Sequence, residues 1–158
     1  MKKLIFLSLL FCLVSCSRQT GPSTPSGSTM PVPEFTIRVL LSEAAAQKLS
    51  DAGETICGAV YFDGDGTPLP NVKTDPHRDV ILGSYEFELR EPGRLHISDA
   101  VISEEAYGRL SDTNYHFFIN VYSCRRAFRN NVLNGSSVDG RLRELESKKT
   151  IEIKCDLL

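Results

Sequence analysis

A chain of 158 residues with 41% apolar side chains has material for one hydrophobic core and hardly two. Its 18 basic and 20 acidic residues give a net charge of −2, which argues against nucleic acid, because neutralising a phosphate backbone calls for a basic surplus. The five cysteines make redox compartment decisive for any reading of the chain.

The first element is a targeting segment. Lys2 and Lys3 precede an apolar stretch from Leu4 to Val14 that is too short to span a bilayer as a helix, and small Ser15 stands before Cys16. The tetrapeptide Leu13-Val14-Ser15-Cys16 resembles the lipobox of bacterial lipoproteins. That resemblance implies removal of residues 1–15, a diacylglycerol thioether and an N-acyl chain on Cys16, and residence in the cell envelope. In a Gram-negative host, Ser17 in the next position implies export to the outer membrane, facing the periplasm. One acyl chain holds a protein marginally, at roughly 0.8 kcal/mol per buried methylene, whereas several on one residue hold it firmly. Cleavage removes two lysines and no acids, leaving 16 basic against 20 acidic side chains, a net charge of −4.

Residues 16–33 follow the cut as the lipidated cysteine and a Ser, Thr, Pro and Gly-rich tether. As a flexible coil its 17 residues after Cys16 span on the order of 23 Å. Residues 34–158 are left for a single globular domain.

An internal repeat organises that domain. At an offset of 61 residues, Leu40 to Gly53 falls on Val101 to Asn114 with six identities, including Ser42 on Ser103, Leu49 on Leu110 and Asp51 on Asp112. Each copy reads as strand, short helix, strand. Ser42 and Ser103 are N-cap residues followed by an acid that suits the helix dipole, and Gly53 and Asn114 tolerate the left-handed conformation that ends helices. Phe35, Ile37, Val39 and Leu41 alternate with less apolar neighbours, as do Ile56, Val60 and Phe62, and Phe117, Ile119 and Val121. Val80 to Arg90 and Arg94 to Ile102 read as a hairpin turned at Glu91-Pro92-Gly93. Val138, Leu142 and Leu145 predict a short helix over 139–147, and Thr150 to Leu157 a final strand. The predicted fold is mainly β: an antiparallel sandwich or strongly bent sheet of about six strands, with two or three short helical crossovers. An α+β layer arrangement is the alternative, and parallel crossovers remain open.

Cys12 leaves with the signal and Cys16 carries lipid, so Cys57, Cys124 and Cys155 enter an oxidising compartment. If the strand from Glu54 to Phe62 lies antiparallel beside that from Tyr115 to Cys124, Cys57 approaches Cys124. Cys155 shares the alternation of Ile151 and Ile153 and points into the core. A bond from Cys124 to Cys155 competes.

The segments GETICGAVYFDGDGTP (Gly53 to Pro68) and INVYSCRRAFRNNVLNG (Ile119 to Gly135) resemble a group of small bacterial envelope proteins that pair a GET…AYF-G strand with an NVYSAR…N-LLDC segment. The resemblance covers about half of the domain and implies structural roles for both segments, without a catalytic residue. Gly135 stands where the group has a cysteine, and Cys124 where it has alanine.

Sites of chemistry are sparse. His77, His96 and His116 are the neutral bases, with neither a G-x-S-x-G nor an H-E-x-x-H motif beside them, so no enzyme and no cofactor are expected. Asp75-Pro76-His77-Arg78-Asp79 holds two carboxylates and an imidazole, yet reads better as a turn. Asp63-Gly64-Asp65-Gly66 lacks the spacing and closing glutamate of a calcium loop and also reads as a turn. The segment Cys124 to Asn131, with Arg141 and Arg143 further on, is the one local basic concentration. Arg125, Arg126, Phe128 and Arg129 combine the side chains that dominate protein interfaces. They predict a contact surface for an envelope protein or an anionic envelope polymer. The expected function is therefore non-catalytic binding by a membrane-anchored accessory or assembly factor. An inhibitor of a cell-wall hydrolase, or a small-ligand or metal carrier, are the alternatives.

Overall fold

The computed structural model describes residues 27–67 and 80–158. The signal, Cys16 and the segment Asp75 to Asp79, expected to be a turn, lie outside the described residues.

Alternation builds the strands. In β2 (Phe35–Leu41), Phe35, Ile37 and Val39 are buried while the residues between them are partly open, as a half-buried pleat requires. Ser42 then caps α1 (Glu43–Ala52), its hydroxyl accepting from the Ala45 N–H at 3.4 Å. Gly53, at φ 65°, closes the helix, and the Glu54 N–H reaches back to the Leu49 carbonyl at 2.9 Å. The chain continues as β3 (Ile56–Gly64) and, beyond the undescribed segment, β4 (Val80–Leu89).

The second copy of the repeat starts alike and ends early. After β5 (Gly93–Ile97) and β6 (Val101–Ser103), Ser103 caps α2 (Glu104–Tyr107) through the Ala106 N–H at 3.2 Å. Gly108 stands where the first copy has Gln47 and ends the helix after one turn. Asn114 instead closes a side-chain turn, its N–H donating to Asp112 Oδ1 at 2.9 Å. Then come β7 (His116–Ser123), β8 (Leu133–Gly135), β9 (Val138–Arg141), α3 (Leu142–Ser147) and β10 (Thr150–Leu157).

Among the described residues the strands form two four-stranded sheets and a small pair. One sheet runs β4-β3-β7-β9, all antiparallel; the other runs β5-β2-β10-β8, with β2 and β10 parallel. Val60, Phe62 and Ile119 of the first and Ile37, Val39 and Ile153 of the second join one core cluster. The fold is mainly β, as the alternation predicts, and the repeat's helices connect different sheets rather than parallel neighbours.

Four further features depart from the sequence-based expectation. Residues 29–31, assigned by composition to the tether, form β1 (Thr29–Pro31) antiparallel to β6, and Val32 is 5% exposed. Short apolar insertions such as Met30 and Val32 suffice for a strand once a partner edge exists. β4 and β5 are no hairpin: the turn at Glu91-Pro92-Gly93 reverses the chain, but β4 pairs with β3 and β5 with β2. The predicted strand from Arg94 to Ile102 is two strands, parted at 98–100 where it changes sheet. The predicted helix over 139–147 begins only at Leu142, because 138–141 pair with β7.

Candidate functional site

The basic segment that follows β7 is fixed from beneath by a buried acid. Glu54, delivered by the Gly53 turn, is 4% exposed. Its Oε1 accepts from the backbone N–H of Thr55 at 2.9 Å and Arg126 at 3.2 Å, and its Oε2 from Ala127 at 2.8 Å and Phe128 at 3.2 Å. Burial pushes this carboxyl up, but the N–H donors of Ala127, Thr55, Arg126 and Phe128 together hold it below its ordinary value. A buried charge is tolerable here because its lone pairs are satisfied.

Further braces surround this one. Cys57 and Cys124 form a disulfide with their Cα atoms 5.0 Å apart, reached by the antiparallel β3–β7 register that sets Cys57 opposite Tyr122. Arg126 grips Glu88 of β4 with two bonds, Nε to Oε1 at 2.8 Å and Nη2 to Oε2 at 2.5 Å, and the Thr55 hydroxyl donates to the same Oε1 at 2.7 Å. The Arg126 bonds, opposed by burial and aided by Thr55, hold the Glu88 carboxyl below its ordinary value. At the far end, Asn131 Oδ1 accepts from the N–H groups of Ser123 and Leu133 at 2.9 and 3.0 Å. Lys48 of α1 sits 5.3 Å above the Phe128 ring.

The result is a loop with a fixed backbone and exposed cations. Arg125 has φ 61°, a left-handed conformation that a non-glycine residue holds only when its surroundings impose it. Arg125 and Arg129 are exposed and make no ion pair among the described residues. Arg126 is different, since its guanidinium is engaged by Glu88 and acts as a brace. Arg141 and Arg143 belong elsewhere: β9 pairs with the opposite end of β7, roughly 23 Å along the strand, and Arg141 bonds Asp112 at 3.2 Å.

Beside the loop lies a cleft of about 400 Å³ between the end of α1, the start of β3 and the β4–β5 turn. Leu41, Ala46, Leu49, Ile56 and Pro92 supply its apolar lining, and Glu54, Arg90 and Glu91 its charged side chains. Glu54 borders this cleft and carries the loop, so the two form one region. The sequence reading missed both the cleft and Glu54, an acid whose role depends on a loop 72 residues further along the chain.

Other sequence candidates sit apart. His96 Nε2 lies 3.4 Å from Glu34 Oε2 with both side chains largely exposed, and His116 lies opposite Asp63 and Arg141 in the sheet register. The turn expected over Asp63 to Gly66 is instead the end of a strand: Asp63 and Gly64 close β3, paired with Ile81 and Val80, and beyond them the Asp65 carbonyl accepts from the Ser111 N–H at 2.9 Å and Gly66 bridges to Leu110, which packs the segment on the second repeat. Among the described residues, Cys57, Glu88 and Cys124 are the one grouping with metal-type ligands, and both sulfurs are bonded to each other. Cys155 is a buried free thiol, 1% exposed.

Fold and site together define a small two-sheet β domain that presents a braced basic loop. No family model matches the chain, and no curated protein matches it. Among solved structures it is similar to an alternative pilotin from the type II secretion system of Vibrio cholerae, at 8% identity over 80% of this chain and 96% of that one, with a TM-score of 0.44. A likeness of that degree leaves function to be argued from the loop itself.

Proposed function

We propose that this protein is a lipid-anchored envelope lipoprotein that works by non-catalytic binding, as an accessory or assembly factor for a partner protein at the membrane. Cys16 carries the anchor, and Arg125, Phe128 and Arg129 meet the partner. Arg126, grouped with them by sequence, serves the contact indirectly through Glu88.

The single observation that carries the reading is the Glu54 carboxylate beneath three successive loop amides, Arg126 to Phe128. A surface that is ordered before its partner arrives loses little conformational entropy on binding, and exposed arginines on such a surface make bidentate contacts with carboxylates. The rest of the chain is acidic, so this patch is the electrostatic exception.

Capture of envelope proteins by the acylated chain in detergent, compared with an Arg125→Ala/Arg129→Ala variant, tests the contact. Recovery that falls several-fold in the variant supports it, and equal recovery refutes it. Incorporation of labelled palmitate, lost in Cys16→Ala, tests the anchor.

The same rigid, disulfide-braced loop also favours a second reading, an inhibitor of a cell-wall hydrolase. Suppression of lysozyme-type activity by the pure protein, relieved by Arg125→Ala/Arg129→Ala, would select it over the first.

A further inference from the structure

The outer face of the β4-β3-β7-β9 sheet carries aromatic rings that the core does not use. Ile56, Val60 and Phe62 of β3 turn into the core, so the alternate positions Cys57, Ala59, Tyr61 and Asp63 turn outward. The register sets Tyr61 between Ser84 and Phe118, and Ala59 between Glu86 and Asn120. Tyr61 is 43% exposed, and Glu86 and Asn120 are exposed beside it, whereas Ala59 is covered.

The 61-residue repeat acts on this face as a local two-fold. Its offset places Ala59 on Asn120, and the β3–β7 register makes the same two residues direct partners, so the axis passes between them. The operation exchanges Tyr61 with Tyr122. Tyr61, its ring stacked with Phe118 at 6.3 Å, and Tyr122 thus stand on either side of the axis, about 14 Å apart along the strands. Burial, then Glu86 and Tyr61, push the Tyr122 hydroxyl up while Arg125 draws it down, which makes these groups its neighbours. Two equivalent rings on one face suit a ligand that repeats its own unit.

Charge argues against a polyanion. Among the strand positions of this face, Glu86, Glu88, Asp63 and Asp139 stand against Arg141 and His116. Glu88 is held by Arg126 and Thr55, Asp63 is 5% exposed, and Arg141 bonds Asp112. Glu86 and Asp139 are the exposed carboxylates, on opposite edge strands, with uncharged Tyr61, Phe118 and Asn120 between them. Arg90, Arg125 and Arg126 lie beyond the end that holds Glu88, and Asp65 and Asp112 beyond the end that holds Asp63. Area argues against a second folded protein. Four strands of about eight residues make a face of roughly 15 by 24 Å, well short of the roughly 800 Å² that each partner of a stable complex buries.

What fits is an extended, uncharged chain with apolar ring faces and many hydroxyls. We infer that this face binds an uncharged glycan strand, whose sugar rings lay their C–H faces on Tyr61 and Tyr122 while hydroxyl and acetamide groups reach Asn120, Glu86 and Asp139. The electron-rich face of an aromatic ring attracts the slightly positive C–H groups of a sugar. The carboxylates accept from hydroxyl and amide hydrogens, and the Asn120 amide both accepts and donates. Neither the arginine loop's partner nor the cleft enters this reading, which gives the protein a second ligand on a separate surface.

The test uses the acylated full chain in an alkyl polyoxyethylene detergent, which contains no sugar, and isothermal titration calorimetry. The probes are the β-linked tetramer of N-acetylglucosamine, a heparin tetrasaccharide and a lysine-rich peptide. The neutral tetramer is expected to bind at least about tenfold more tightly than either charged probe, and Tyr61→Ala and Tyr122→Ala each to weaken it about tenfold. Tyr61→Phe, which keeps the ring, should change it less than about twofold. Should Tyr122→Ala fail to fold, Tyr122→Leu, which keeps apolar bulk without an aromatic face, takes its place. Absence of binding, binding indifferent to both tyrosines, or a charged probe that binds as tightly as the tetramer overturns the inference. A dimer in sedimentation that Tyr61→Ala dissociates would assign the face to a second copy of the chain and overturn it equally.

Discussion

Glu54 and Ala127 are 73 residues apart in sequence and joined at 2.8 Å, carboxylate to backbone N–H, across the end of the first sheet. That bond ties the first copy of the repeat to the loop after the second. It makes the loop's shape a property of the whole fold.

Replacing Glu54 by Gln should therefore cost more than a surface change. Gln keeps one acceptor oxygen but turns an amide NH₂ toward N–H donors, leaving either the Ala127 and Phe128 amides or the Thr55 and Arg126 amides without their acceptor. The expected loss is about 2–3 kcal/mol in urea unfolding, with faster hydrogen exchange at 126–128. Unchanged exchange there would refute the clamp.

Acid should release the same loop. The Glu54 and Glu88 carboxyls both sit below the ordinary value of 4.5, so each contributes stability that is present above that value and lost as pH falls through its lowered one. The melting temperature should drop as pH is lowered from about 4.5, and by less in Glu54→Gln.

The disulfide between Cys57 and Cys124 spans 67 residues of sequence. Cys57→Ser/Cys124→Ser should lower stability by about 2–4 kcal/mol. Because Glu54, Glu88 and Asn131 hold the loop independently, hydrogen exchange at 126–128 should change less in this variant than in Glu54→Gln.

Gly66 has no room for a side chain. A Cβ built there would lie 2.3 Å from the Arg109 carbonyl oxygen and 2.9 Å from the Leu110 Cα. Gly66→Ala should destabilise by about 1–3 kcal/mol by prising this segment off the second repeat. A melting temperature equal to that of the parent would contradict this packing.

Burial pushes the Cys155 thiol up to about 11, so it should resist iodoacetamide at neutral pH in the native protein and react in urea. Native-state labelling would mean that β10 opens.

What could be read beforehand was what neighbours in sequence decide. Ser42, Gly53 and the alternation of β2, β3, β7 and β10 are local signals, and they placed caps and strands. The β3–β7 pairing entered the sequence reading only as a condition, because the repeat sets both strands at the same point after a helix without making them neighbours; the structure supplies the pairing. The β4–β5 turn shows the limit: proline and glycine specify a reversal, not whether the strands it joins share a sheet. Arg126 shows it again, since nothing within its own loop announces that Glu88, 38 residues earlier, takes its guanidinium. Glu54 was overlooked because a lone acid between Gly53 and Thr55 is indistinguishable from an ordinary solvated turn residue until the loop arrives above it.

The position of β10 between β2 and β8 governs the order of events in assembly. A nascent chain that has delivered everything up to Lys149 still has β2 and β8 with no strand to bridge them. Folding from the N-terminus onward cannot complete this sheet, so a polypeptide halted before Thr150 should stay open and vulnerable to proteases, and one allowed to continue should snap shut in a single cooperative step.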